Sequence, residues 1–230
     1  MGRGAADGLN GRNARARVTT RIDGALGARR APAALFAAGA FCVVELDDAD
    51  IPELQRFFAA NPDYFLAVNG QPAADDEAYE ELHGALPSGW PHTKKWILGF
   101  VDASGALAGM ANVVSDLLAT GIWHIGLFMV ATGLHGSGAA RSLHQQLERW
   151  VRGQGAQWLR LGVVEGNARA ERFWERSGYV EVRRRHGMAM GRRVNTVRVM
   201  VKPLTGGSLP EYVAMVERDR PEPGQAESSG

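Results

Sequence analysis

The chain has 230 residues, 45% of them hydrophobic and 22% charged, enough to bury one sizeable core with tails to spare. Its 26 basic and 25 acidic side chains leave a net charge of +1, too balanced for a surface that binds nucleic acid throughout. A single cysteine, Cys42, excludes an internal disulfide framework, the six histidines show no H-E-x-x-H pairing, and no apolar run nears the ~20 residues that cross a bilayer, so no metal and no membrane partner is predicted.

Residues 1–35 read as a disordered basic tail. The first thirty hold 6 Gly, 6 Ala and 7 Arg against 2 Asp, with too few large apolar side chains to offset the entropy of ordering. Arg29 and Arg30 ahead of APAALFAAGAFCVV resemble the start of an export signal. AFCVVEL, however, reads as a strand that the core needs, and no small-residue cleavage site follows, so a cytoplasmic protein is expected. Asp50-Ile51-Pro52-Glu53 has capping-box spacing with Leu54, Phe57 and Phe58 behind it, which predicts a helix from about 51 to Asn61-Pro62. A second short helix is expected over 75–83, with NPDYFLAVNG as a loop between them.

KKWILGFVDASGALAGMANVV then reads as two β-runs turning at Ser104-Gly105, and GIWHIGLFMV as a long strand buried on both faces. GLHGSGAARSLHQQLERWV follows, a glycine cluster leading into a helix from Ala139 with Leu143, Leu147, Trp150 and Val151 on one face and an end near Gly153. QWLRLGVV alternates as a strand. Asn167 caps a second helix with Ala170, Phe173 and Trp174 inward and Gly178 as its stop, and GYVEVRRR and NTVRVMVK complete the sheet. Strand, helix, strand, helix implies a parallel crossover within a mixed, mostly antiparallel α/β sheet flanked by helices. The domain is expected over 36–203. Residues 204–230, with SLPEYVAMVERD and then a Pro/Glu/Ser-rich end, form a C-terminal tail, partly helical or disordered.

Glycines at a strand-to-helix junction let backbone N–H groups face a ligand, and the helix dipole adds roughly half a positive charge. That suits a pyrophosphate, although a tight turn that merely needs glycine stays open. A P-loop is excluded because Gly138 is followed by Ala139-Ala140-Arg141, not Lys and Ser/Thr. A dinucleotide loop is excluded because the sixth position from Gly136 is Arg141.

VATGLHGSGAA resembles the V-x-P-x-x-R-G-x-G-x-A/G signature of the GNAT superfamily of acyl-CoA N-acyltransferases, and GAQWLRLGVVEGNARAERFWERSGY is similar to that family's second motif, in the same order and spacing. The resemblance covers roughly Ala40 to Pro203 and implies acetyl-CoA or another acyl-CoA as cofactor. Backbone N–H groups of His135, Gly136, Ser137, Gly138, Ala139 and Ala140 would hold the pyrophosphate. The edge of Phe128-Met129-Val130 would pair with the pantetheine arm like an added strand. Asn167, which also caps its helix, and Trp174 would meet the same arm. His135 and Thr132 replace the family's usual Arg or Gln and Pro.

The chemistry so implied is transfer of an acetyl group to a primary amine by direct attack on the thioester, with a backbone N–H steadying the oxyanion. An ammonium must first lose its proton, and His124 and Glu165 are the candidate bases, each with a structural alternative. Trp174 stands where the family commonly has a tyrosine acid, and an indole cannot give up its proton. Tyr179 is expected to pack in the core with its hydroxyl satisfied. Tyr64, Phe65 and Asn69 are candidate acceptor-site residues or loop anchors. Between Glu45 and Glu81, 11 acidic residues stand against one Arg, either attracting a cationic amine or forming a solvated helix face. Arginines 183–185, 192 and 193 flank the loop before the last strand and could meet an outer phosphate of the coenzyme. The expected partner is a small-molecule or peptide amine, with homodimers common in the family. Two alternatives remain: a CoA-binding module with lost or regulatory catalysis, and an unrelated nucleotide binder using the same glycines.

Overall fold

The computed structural model describes residues 33–221. The tail read into residues 1–35 therefore lies outside the described residues up to residue 32, as does the end of the chain after residue 221. Among the described residues, eight strands form one sheet: β1 Phe36–Ala38, β2 Phe41–Glu45, β3 Lys94–Val101, β4 Leu107–Ser115, β5 Ile122–Val130, β6 Trp158–Val164, β7 Val180–Met190 and β8 Arg193–Pro203. Their order is β1-β2-β3-β4-β5-β6-β8-β7, antiparallel except for the β5–β6 pair. The mixed sheet and its single parallel crossover are as expected.

Among the described residues, six helices flank it: α1 Ile51–Ala60, α2 Asp63–Asn69, α3 Glu77–His83, α4 Ala139–Gly153, α5 Ala168–Arg176 and α6 Leu209–Met215. On one face, Leu143, Leu147 and Val151 of α4 and Trp174 of α5 pack against Leu98, Trp123 and Leu161. On the other, α1 to α3 cover Ile97, Met110, Leu127 and Met129 with Leu54, Phe57, Phe58 and Phe65. Helix α6 closes the far end of that face, its Tyr212 against Trp158 and Val201.

Three local expectations need correction. NPDYFLAVNG is not a loop, because residues 63–69 form α2, entered from Pro62 at φ −72 and left through Gly70 at φ +69. Proline before the first turn and glycine after the last are the signals that mark it. The first strand has a partner on its outer edge, β1, paired Phe36 to Val43. The arginine-flanked segment before the last strand is no loop either. Strands β7 and β8 continue as a hairpin to a turn at Gly191-Arg192, and its tip docks on α2, where Arg192 N–H donates to Asn69 O at 2.8 Å and Asn195 Nδ2 to Val68 O at 2.9 Å.

Candidate active site

Strands β5 and β6 pair only from Ile122–Trp158 to Ile125–Leu161 and then part, although both continue. A bulge at Gly126 accentuates the fork: β4 pairs Asn112 with Leu127 and Val113 with Ile125, so one residue of β5 is extra. The insertion keeps Phe128 on the same face as Ile125 and bends the strand. Two cavities open into the fork, about 750 Å³ beside α4 and α5 and about 520 Å³ beneath the β7–β8 hairpin. Tyr64, Phe128, Asn167, Ala170 and Trp174 line both, so the two meet there.

The first cavity is bounded by the end of β5 and the glycine turn. Ala131 N–H donates to Ala108 O in β4 at 2.8 Å, so by strand alternation the backbone groups of Phe128 and Val130 face the fork. Gly136 and Gly138 have φ of +80° and +86°, and a Cβ on either would meet nothing within 4 Å. The turn thus presents bare backbone to open space, as an anion cradle requires. It also consumes some of its own donors. His135 N–H bonds to Thr132 O at 3.0 Å, Ser137 N–H to Leu134 O at 3.3 Å, and Ala139 N–H to Ser137 Oγ at 3.2 Å. The outward donors of 135–140 are therefore Gly136, Gly138 and Ala140. The His135 ring bridges Val130 O at 3.1 Å and Arg169 Nη1 at 2.6 Å, which sets a guanidinium at the rim of the same cavity. Buried Asn61 fixes the approach, its Oδ1 accepting from Thr132 N–H at 2.7 Å.

The wall common to both cavities is aromatic. Trp174 sits edge-on to Phe128 at 5.8 Å and beside Tyr179 at 5.2 Å. Tyr179 is in the core, as expected, its hydroxyl 3.0 Å from His144 Nε2. Burial drives the His144 ring down to about 4, so it is neutral. Asn167 Oδ1 caps α5 by accepting from Ala170 N–H at 3.3 Å, leaving its amide group for the fork. Burial, with Glu81 and Glu77 nearby, raises the Tyr64 hydroxyl, so it keeps its proton.

The second cavity is cationic. His124 Nδ1 lies 3.1 Å from Arg160 O and 3.2 Å from Arg160 Nη1, and one nitrogen serves only one of these at a time. Burial and then the Arg160 charge push the ring down to about 3. Arg160, 3% exposed, grips fully buried Asp219 through Nε at 2.7 Å and Nη2 at 3.0 Å. Arg185 and the Tyr212 hydroxyl join at 3.0 and 2.7 Å. Burial works to raise the Asp219 carboxyl, but the bonds and charge of Arg160, with Tyr212 and Arg185, prevail and hold it at about 2. Trp90 closes the cavity, with the Arg218 guanidinium 4.7 Å above its ring.

The fork thus gathers Met129, Val130, His135, Gly136 and Ala140 around the first cavity and His124 around the second, with Tyr64, Phe128, Asn167 and Trp174 in both. Glu165 stands apart, lining neither cavity and paired with Arg184 at 3.0 Å. Phe65 is a core residue edge-on to Phe58 at 5.1 Å, and Asn69 anchors the hairpin tip, so of these three only Tyr64 reaches a cavity. The acidic stretch serves the fold in part, Glu53 accepting from Leu107 N–H and Glu81 from Asn112 Nδ2. The flanking arginines also find protein partners: Arg184 pairs with Glu181, Arg185 with Asp219, and Arg193 donates to Ala67 O. Sequence reasoning missed Arg169, Trp90 and the Arg160–Asp219 pair. Arg169, two residues beyond the helix cap, was within reach of that reasoning.

The family described as acetyltransferase (GNAT) family matches residues 54–179. Among solved structures, a GCN5-related N-acetyltransferase from Kribbella flavida is 24% identical over 73% of this chain and 99% of its own, with a TM-score of 0.53. A spermidine N-acetyltransferase from Vibrio cholerae, in complex with CoA and spermine, is 16% identical over 73% and 97%, with a TM-score of 0.56. An acetyltransferase from Thermus thermophilus is 19% identical over 73% and 99%, with a TM-score of 0.54. Among curated proteins, none matches the chain. Among the described residues, no helix is long and apolar enough to cross a membrane.

Proposed function

The chain belongs to the acetyltransferase (GNAT) family, and from that premise we propose that it transfers an acetyl group from acetyl-CoA to a primary amine, the coenzyme entering by the first cavity and the acceptor by the second. The observation that carries this reading is the meeting of the two cavities at the β5–β6 fork. The bare glycine turn fits a diphosphate, with Gly136, Gly138 and Ala140 N–H as donors and Arg169 as counter-charge. When bound, acetyl-CoA supplies an activated carbonyl on a thiolate leaving group.

Phe128 and Val130 orient the arm by main-chain hydrogen bonds, and the Phe128 N–H is the proposed donor to a developing oxyanion. Trp174, Phe128 and Phe173 exclude water. The Tyr64 hydroxyl, held protonated at the junction in place of the absent family tyrosine, is proposed to pass its proton to the leaving sulfur while recovering the proton that the attacking nitrogen loses, so that no tyrosinate accumulates. His124 enters as a neutral acceptor that orients the amine. A ring with so low a proton affinity cannot store the proton of an ammonium near pKa ~10. Glu165 stays outside the proposal because its carboxylate faces Arg184 away from both cavities. The transferase domain is proposed to run past residue 203, since Asp219 braces the second cavity.

The test is thiol release from acetyl-CoA with primary amines across the neutral range. Turnover should rise with pH toward the acceptor amine's own pKa, with no break that His124→Gln removes. Coenzyme binding with no turnover on any amine would favour a module that has lost catalysis.

A further inference from the structure

The polar groups of the second cavity are unusual in their sign. Among the described residues no Asp or Glu lines it, whereas Arg160, Arg185 and Arg218 do. The one carboxylate they share, Asp219, is fully buried behind them. Three guanidinia against one carboxylate leave two positive charges uncompensated. Arg160 spends Nε and Nη2 on Asp219. Arg185 spends Nη2 on Asp219 and Arg218 O, leaving its buried Nε without an acceptor. Arg218 is exposed and lies on Trp90, whose own buried Nε1–H also has no acceptor. Nε of Arg185 and Nε1 of Trp90 can only donate, and neither has an acceptor among the described residues. The remaining wall is mostly apolar, with Met188, Met190, Val197 and Val199, beside the uncharged polar groups of Tyr64, His124 and Asn167.

We propose that the second cavity takes a primary amine bearing a carboxylate on an apolar body, with Arg218 and Arg185 binding the carboxylate. Guanidinia match a carboxylate in geometry as well as charge. A polyamine, by contrast, would face uncompensated like charge and no carboxylate partner. Burial lowers the Arg185 pKa against the raising pull of Asp219, and the Arg160 and Arg218 charges add to that lowering to a smaller degree. The inference rests on the transferase reading for the amine's fate, but the charge preference stands or falls by itself.

Calorimetry on the full chain, with and without CoA, separates the two. The probes are matched pairs in which only the acid is lost: L-phenylalanine against L-phenylalaninamide, and 4-(aminomethyl)benzoate against 4-methylbenzylamine, with spermidine as the polycation. Expected is at least about tenfold tighter binding of an acid than of its neutral partner, the usual worth of a hydrogen bond to a charged group. Arg218→Gln should collapse that ratio, with CoA binding in the other cavity as the control for folding. Equal binding within both pairs, tighter binding of spermidine, no binding of either acid, or a ratio that survives Arg218→Gln would overturn the proposal. Loss of CoA binding alone would overturn the transferase reading and leave the acid–neutral contrast to decide this one.

Discussion

The two cavities on either side of the fork are built differently. The first draws most of its wall from two stretches, 128–140 and 167–174, each a strand or turn running into a helix. The second is assembled from six separated segments, among them α2, Trp90, the hairpin and Arg218 beyond α6. A site made of contiguous chain is held by local rules, glycine φ angles and helix caps. A site made of distant pieces is held by a few buried polar pairs and is only as firm as those pairs.

The sharpest way to break that contrast is Asp219→Ala. It strands the Arg160 charge, 3% exposed, and removes the partner of Arg185. Removing one partner of a buried pair costs about 3–5 kcal/mol. Urea unfolding should show that loss. A change under about 1 kcal/mol would mean that the C-terminal segment does not brace the second cavity.

Next in size is an acid effect on both halves. His144 and His124 are neutral when folded, at about 4 and about 3 against 6.5 unfolded. Below pH 6.5 the unfolded chain therefore binds more protons, and stability is lost as pH falls toward those folded values. Each ring contributes about 1.4 kcal/mol per pH unit in that window. Urea midpoints should drop from neutral pH to about pH 5, and His144→Gln, which keeps a partner for Tyr179, should remove part of the slope. A flat profile would contradict the burial of both rings.

The same contrast explains what the sequence disclosed. The glycine turn, the Asn167 cap and the Trp174 face were legible because each depends on residues within one turn of itself. Helix α2 was missed because two turns carry too little periodicity to outweigh the Asn-Pro-Asp and Asn-Gly turn signals at its ends. Arg160 was legible only as the odd polar residue of an alternating strand, since its partner lies 59 residues later. The hairpin's docking on α2 joins residues 126 and 127 apart, and no local pattern announces it.

The central claim is that the bare turn at Gly136–Gly138 binds the diphosphate of coenzyme A, and calorimetry with CoA tests it most directly. The account predicts saturable heat at one site per chain, weakened at least about tenfold by Gly138→Glu, which sets a negative charge and a strained left-handed residue at the head of α4. No heat on well-folded protein, or undiminished affinity in a folded Gly138→Glu chain, would contradict it.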